Sequence, residues 1–93
     1  MNRHDRALRQ LVQEFLDEAR PFGDFHEGFI ARWTRLPARG LTPEARSRWN
    51  EIYSLVLTAL PDPVEDADLA RGAIGEAELR RQLRRHPLLA GAP

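Results

Sequence analysis

Five large apolar side chains between residues 22 and 36 fall on one line of a helix. Phe22, Phe25, Phe29, Trp33 and Leu36 are separated by steps of three and four, the spacing that brings side chains onto one face of an α-helix. Four of the five are aromatic rings, which bury the largest apolar area per residue, so this helix should form the keel of the core. A chain of 93 residues has material for one domain and a modest core, not for two. Everything else in the sequence has to pack around this face.

The flanking segments carry the same period. Leu8, Leu11, Val12, Phe15, Leu16 and Ala19 predict a first helix over about 4–19, with Arg6, Arg9, Gln10, Gln13, Asp17 and Arg20 on the opposite face. Pro21 ends that helix or opens the second, because the residue before a proline avoids the helical region. Two starts compete for the second helix: Pro21 at the first helical position, or Asp24 with Glu27 in capping-box spacing. Gly23 and Gly28 weaken it by about 1 kcal/mol each relative to alanine, which the aromatic face must outweigh. Pro37 and Gly40 stop it by Leu36. The third helix has the clearest start, with Thr42 as N-cap, Pro43 at the first helical position and Glu44 in the first turn. Its stripe is Trp49, Ile52, Tyr53, Val56 and Leu60, widened by Leu55 and Leu57, and Pro61-Asp62-Pro63 closes it. Residues 61–75 read as an acidic loop with a short turn near 67–71. A fourth helix starts at Gly75, with Ile74 and Leu79 placed as a hydrophobic staple. Leu79 and Leu83 face inward, His86 or Leu88 closes the seam, and Arg80, Arg81, Arg84 and Arg85 point outward. From Gly91 the tail should fray.

Four amphipathic segments joined by short connections predict an all-α fold, a small antiparallel four-helix bundle, as one domain spanning 1–93 with its core over about 4–89. Phe15, Phe25, Phe29, Trp33, Trp49, Ile52, Val56, Leu79 and Leu83 should be largely buried.

Charge and chemistry narrow the function classes. Charged residues make up 30% of the chain and the formal net charge is zero, so bulk electrostatics favours neither a nucleic-acid binder nor a strongly acidic mimic. All 14 basic residues are arginine, which reflects either a GC-rich coding bias or a preference for bidentate recognition. The absence of cysteine excludes disulfides and thiolate zinc sites. No apolar run approaches the roughly 20 residues of a membrane helix. The residues after Met1 lack a signal-peptide core, so the expected location is cytoplasmic. His4, His26 and His86 are scattered and match no metal-ligand spacing, so neither a metal nor another cofactor is expected. Ser47 and Ser54 lie in no nucleophile elbow. The pairs Asp17 with Glu18 and Asp24 with Glu27 read as helix solvation, and the chain is not expected to be an enzyme. Trp33, Trp49 and Tyr53 read as core, and any that is exposed joins a partner surface. Arg80, Arg81, Arg84 and Arg85 read as a solvated stripe suited to a helix C-terminus, with phosphate contact as the competing use.

Three blocks together resemble the bacterial self-protective, colicin-like immunity proteins, the family of the colicin D immunity protein. The first is Leu11-Val12-x-x-Phe15-Leu16 followed by Phe25-x-x-x-Phe29-x-x-x-Trp33. The second is the third helix ending in Pro61-Asp62-Pro63. The third is Ile74-Gly75-Glu76-x-Glu78-Leu79-Arg80. In order and spacing they cover residues 8–86. The family's Asp and Tyr ahead of the Pro-Asp-Pro turn read Leu57 and Ala59 here. The resemblance implies a helical inhibitor that binds a cognate nuclease toxin of the tRNA-cutting type and presents carboxylates to its basic cleft, without touching nucleic acid itself. Asp62, Glu65, Asp66 and Asp68, with Glu76 and Glu78 in the next helix, are the expected partner-binding residues. The alternative is a small helical interaction module with no toxin partner, using an apolar helix face.

Overall fold

The computed structural model describes residues 2–90, and these form an all-helical domain. Six helices follow in order: α1 (Arg3–Leu16), α2 (Phe22–Thr34), α3 (Pro43–Thr58), α4 (Asp66–Ala70), α5 (Glu76–Arg85) and α6 (Pro87–Ala90). Four of them are the helices expected from the periodicity. Two short ones, α4 and α6, are additions, so the count of four is corrected to six among the described residues. The expected fraying from Gly91 lies outside the described residues.

α1 packs on α2 and α5, α3 packs on the same two helices, and α6 folds back against α5. The aromatic stripe runs through the middle of this arrangement. Phe15 of α1 stacks on Phe25 at 4.4 Å between ring centroids, Phe25 meets Phe29 at 5.7 Å, and Phe29 meets Trp49 of α3 at 6.1 Å. A continuous run of rings therefore joins three helices. Leu8, Val12, Ile52, Val56, Leu79 and Leu83 complete the core around it, all fully buried. Trp33 departs from expectation. It is only half-buried, stacked on Tyr53 at 5.4 Å, with the Arg46 guanidinium 5.9 Å from its ring. Leu57, expected to widen the core stripe of α3, is 51% exposed.

The ends of α1 show where local pattern and structure part. The helix begins earlier than expected, because the Asn2 side chain accepts the Asp5 N–H at 2.8 Å and serves as N-cap. It also ends earlier, at Leu16, where Glu18 takes a left-handed φ of 60°. The Glu18 and Ala19 N–H groups turn back to the Phe15 and Glu14 carbonyls at 3.1 and 2.9 Å. Arginines of α5 finish the capping, with Arg80 Nε donating to Phe15 O at 3.4 Å and Arg84 Nη2 to Leu16 O at 3.1 Å. The last carbonyls of the helix are thus met by backbone and guanidinium groups. Arg80, expected outside, instead lies half-buried with its guanidinium 4.3 Å from the Phe15 ring. Beyond the cap, Arg20 donates to Glu14 Oε1 through Nε and Nη2, and this holds the Glu14 carboxyl below its ordinary value. The pair supports the fold above the normal carboxylate range and ceases to do so as pH falls through that lowered value.

α2 starts at Phe22, within the interval 21–24 set by its two candidate starts. Pro21 is the N-cap, one position before the first helical residue, and Asp24 falls in the first turn. α3 begins as expected, with Thr42 Oγ1 accepting from Ala45 N at 3.2 Å.

Polar contacts around the buried Asp5 carboxylate tie α1 to α3, to Leu88 and to Gly40. Asp5 Oδ1 accepts the Trp49 indole N–H at 2.7 Å, and Asp5 Oδ2 accepts from Arg9 Nε at 2.8 Å. Arg9 Nη1 continues to Leu88 O at 3.0 Å, and Asn2 Nδ2 reaches Gly40 O at 2.6 Å. At the far end of α5, His86 Nε2 lies 2.8 Å from Glu51 Oε1, while its Nδ1 accepts the Leu88 N–H at 3.1 Å. A ring nitrogen that accepts carries no proton, so the ring proton sits on Nε2 toward Glu51.

Two outcomes follow from these contacts. Asp5→Ala leaves a buried indole N–H and a guanidinium without their acceptor, and should cost about 3 kcal/mol by urea denaturation. Glu18→Gly removes a side chain from a left-handed position and should stabilise by about 0.5–1 kcal/mol, read as a higher midpoint with an unchanged slope.

Candidate acidic interface

The chain leaves the core at Ala59 and returns at Ile74, and the two points are tied. An isolated parallel bridge pairs Ala59 with Ile74, made by Leu60 N to Ile74 O at 2.9 Å and Ile74 N to Thr58 O at 3.0 Å. Ala59 is buried and Ile74 packs on the core, so the base of the excursion is fixed to the domain. Between these points lie α4 and the acidic residues, which gives the segment the closed-base form of an Ω-loop. α4 replaces the short turn expected near 67–71. It ends on Gly72, whose φ of 97° and whose N–H bond to Leu69 O form a left-handed cap.

The six expected partner-binding carboxylates divide into two groups. Asp62 turns inward: its Oδ1 accepts Glu76 N at 3.1 Å and its Oδ2 accepts Ala77 N at 3.2 Å. It thereby caps α5 in place of the N-cap residue Gly75, which has no side chain to offer. A Cβ at 75 would meet the Asp62 carboxylate and displace it from this cap. Glu76 pairs with Arg80 at 3.4 Å and Glu78 with Arg81 at 3.0 Å, both along α5. These three are engaged within the domain.

Glu65, Asp66 and Asp68 are the other group. Glu65 is the N-cap residue of α4, and Asp66 and Asp68 lie in its first turn. Glu65 and Asp66 are exposed and Asp68 is half-buried. Among the described residues, none of the three makes a side-chain hydrogen bond or ion pair. Glu65 and Asp68 border a hollow of about 330 Å³ floored by Leu60, Pro61 and Val64. Leu69, at 50% exposure, adds an apolar side chain to the same short helix.

Other groups singled out in the sequence are distributed differently. Asp17 accepts from Gln13, and Glu14 rather than Asp17 or Glu18 takes Arg20. Asp24 and Glu27 are exposed on α2. Trp49 is fully buried, whereas Trp33 and Tyr53 are half-buried, and Trp33 lines a hollow of about 520 Å³ with Arg46 and Asn50. His26 Nε2 is buried without a hydrogen-bond partner among the described residues, with its ring 5.3 Å from Phe22. Among the described residues, no three or more His, Asp or Glu side chains are grouped to hold a metal, and no helix is long and apolar enough to cross a membrane.

Compared with protein families, curated proteins and solved structures, the chain finds no match.

One feature escaped the sequence reading and another, α4, was read only as a short turn. The cap that Asp62 gives α5 comes from 14 residues upstream of Glu76, beyond any local capping pattern. α4 did have a local signal: acidic residues at its start and Gly72 just past its end. This division of labour predicts unequal mutational costs. Asp62→Ala should lose about 1 kcal/mol of stability through the α5 cap, whereas Glu65→Ala and Asp66→Ala should stay within about 0.5 kcal/mol of the parent in the same denaturation assay.

Proposed function

We propose that this chain is an immunity-type inhibitor: a small helical protein that binds a cognate bacterial nuclease toxin, of the tRNA-cutting type, and blocks its basic active site. In this reading the four longer helices act as an antiparallel bundle that carries the acidic excursion. The protein works in the cytoplasm as a binding partner rather than an enzyme, without a cofactor and without touching nucleic acid. The observation that carries the reading is the state of Glu65, Asp66 and Asp68. They are three carboxylates on a tied excursion, and among the described residues none of them makes an ion pair. Carboxylates so presented replace substrate phosphates in a basic cleft and steer the encounter through long-range attraction. Rigidly held loops are also where binding residues concentrate. The resemblance of the three blocks, in α1 with α2, at the end of α3 and at the start of α5, to colicin-like immunity proteins points the same way.

A second reading has its own observation. Trp33, Tyr53 and Arg46 form a partly exposed aromatic and cationic cluster on α2 and α3, and the 51% exposed Leu57 lies one turn beyond Tyr53. Aromatic and arginine side chains dominate interface hot spots, which suits a helical interaction module with no toxin partner.

The two readings separate in one experiment. The chain is co-expressed with the reading frame immediately upstream of it, and survival is scored. Reversal of Glu65, Asp66 and Asp68 together to Arg should abolish protection while circular dichroism stays that of the parent. Association of the parent with the toxin should slow as salt rises. Full protection by the folded triple variant moves the toxin-binding surface off the excursion, and absence of protection by the parent chain itself selects the second reading.

A further inference from the structure

Among the described residues, Asp5 and His86 are the buried polar side chains, and the His86 ring is bonded through both of its nitrogens. Nε2 meets Glu51 Oε1 of α3 at 2.8 Å, and Nδ1 accepts the Leu88 N–H of α6 at 3.1 Å. A proton acts on these two bonds in opposite ways. A backbone N–H only donates, so Nδ1 must be bare for its bond to exist. An ionised carboxylate only accepts, and it takes Nε2–H from a neutral or a charged ring alike. With Nε2 already protonated, an added proton has one place to go, Nδ1, where it opposes the Leu88 N–H. One bond is then lost, and the other becomes a charge-assisted ion pair. Histidine is the side chain whose charge ordinarily changes between pH 5 and 8.

The bond that is lost is a helix cap. His86 directly precedes α6, its backbone is extended (φ −65°, ψ 132°), and its side chain accepts from the N–H two residues on. This is the geometry of an N-cap, with a ring nitrogen in place of the usual oxygen. Pro87 has no N–H, so Leu88 carries the first donor of α6, one that no carbonyl inside the helix can take. α6 is a single turn, too short to hold by itself. Its other ties are Leu89 N to His86 O at 2.9 Å, Arg9 Nη1 to Leu88 O at 3.0 Å, and the packing of Leu88 and Leu89 on the core.

The remaining charges around this junction do not compete for Nδ1. On α1, Asp5 and Arg9 are paired with each other and reach α6 through Leu88 O. On α3, Arg48 lies one turn before Glu51, and on α5, Arg85 adjoins His86; both arginines are exposed and can only donate. α6 has no titratable side chain.

We propose that His86 is a proton-operated cap: protonation at Nδ1 releases the Leu88 N–H and loosens α6 from the domain, while the ring stays bound to Glu51. The device involves none of Glu65, Asp66 and Asp68, so it stands or falls independently of the inhibitor reading.

The test is NMR of the ¹⁵N-labelled full chain between about pH 8 and about pH 5.5. Ring ¹⁵N shifts report the protonation of each His86 nitrogen. Exchange of the Leu88 and Leu89 amides with water, corrected for intrinsic pH dependence, reports the state of α6. At the upper pH, Nδ1 should be the bare nitrogen. As the ring titrates, the Leu88 amide should shift with the same midpoint and lose about tenfold in protection, the equivalent of one hydrogen bond. Amides of the buried parts of α1 and α3 should stay within about twofold. His86→Asn supplies a cap that does not titrate. It should keep Leu88 protected at both ends of the range and abolish the transition, although His4 and His26 remain. The proposal is overturned by a proton on Nδ1 at the upper pH, or by a His86 ring that does not titrate in this window. It is overturned equally by a Leu88 amide indifferent to the ring, or by the same Leu88 transition in His86→Asn. If that variant does not fold, the ring and amide titrations of the parent chain decide on their own.

Discussion

Trp49 is fully buried at the α3 end of the aromatic run, and a buried indole N–H has to meet an acceptor inside the protein. Asp5 supplies it. A carboxylate is an expensive group to withdraw from water, and here the cost is offset on three sides. One oxygen takes the indole N–H and the other takes Arg9 Nε, at charge-assisted distances of 2.7 and 2.8 Å. The group also sits in the first turn of α1, where the helix favours negative charge. Because Arg9 then holds Leu88 O, one side chain registers α1 against α3 and both against the C-terminal α6. Apolar packing alone would tolerate sliding of one helix along another. A directional polar contact in the middle of the core fixes a single register.

Arginine does similar work elsewhere. Arg80 and Arg84 finish the C-terminus of α1 from α5, and Arg46 holds Pro37 O and Ala38 O while covering Trp33. Arg80 and Arg46 each use a flat ion that can stack on a ring and bond in its own plane at once, which an ammonium does less well. For these residues, the all-arginine composition has a structural use in terminating helices and lining ring faces. Much of the charge on this chain is therefore consumed internally, and net charge alone is a poor guide to which charges are available outside.

What was legible in the sequence is what depends on near neighbours. The three- and four-residue steps of Phe22, Phe25 and Phe29, the Thr42-Pro43 start of α3 and the Leu79–Leu83 pair all appear as read, because helical periodicity and capping act within a few residues. The end of α1 was missed because a glutamate, not glycine, occupies the left-handed position, and an ordinary side chain gives no signal there. Asp5 was missed because its partner Trp49 is 44 residues away, and Asn2 because a cap ahead of an already periodic segment adds little to the pattern. The acidic cluster was visible as composition. Its division into engaged and unengaged carboxylates was not, since that depends on where the chain returns at Ile74.

That return has a consequence for how such a protein can change over generations. Ala59, Asp62, Ile74 and Gly75 attach the excursion to the domain, and the residues between Asp62 and Ile74 contribute no fully buried side chain. Apart from Gly72, whose left-handed φ caps α4, substitutions there disturb the packed core little. Under the proposed function, the stem answers to folding and the stretch it carries to recognition, so about ten residues can be rewritten for a different partner while the helical body stays as it is.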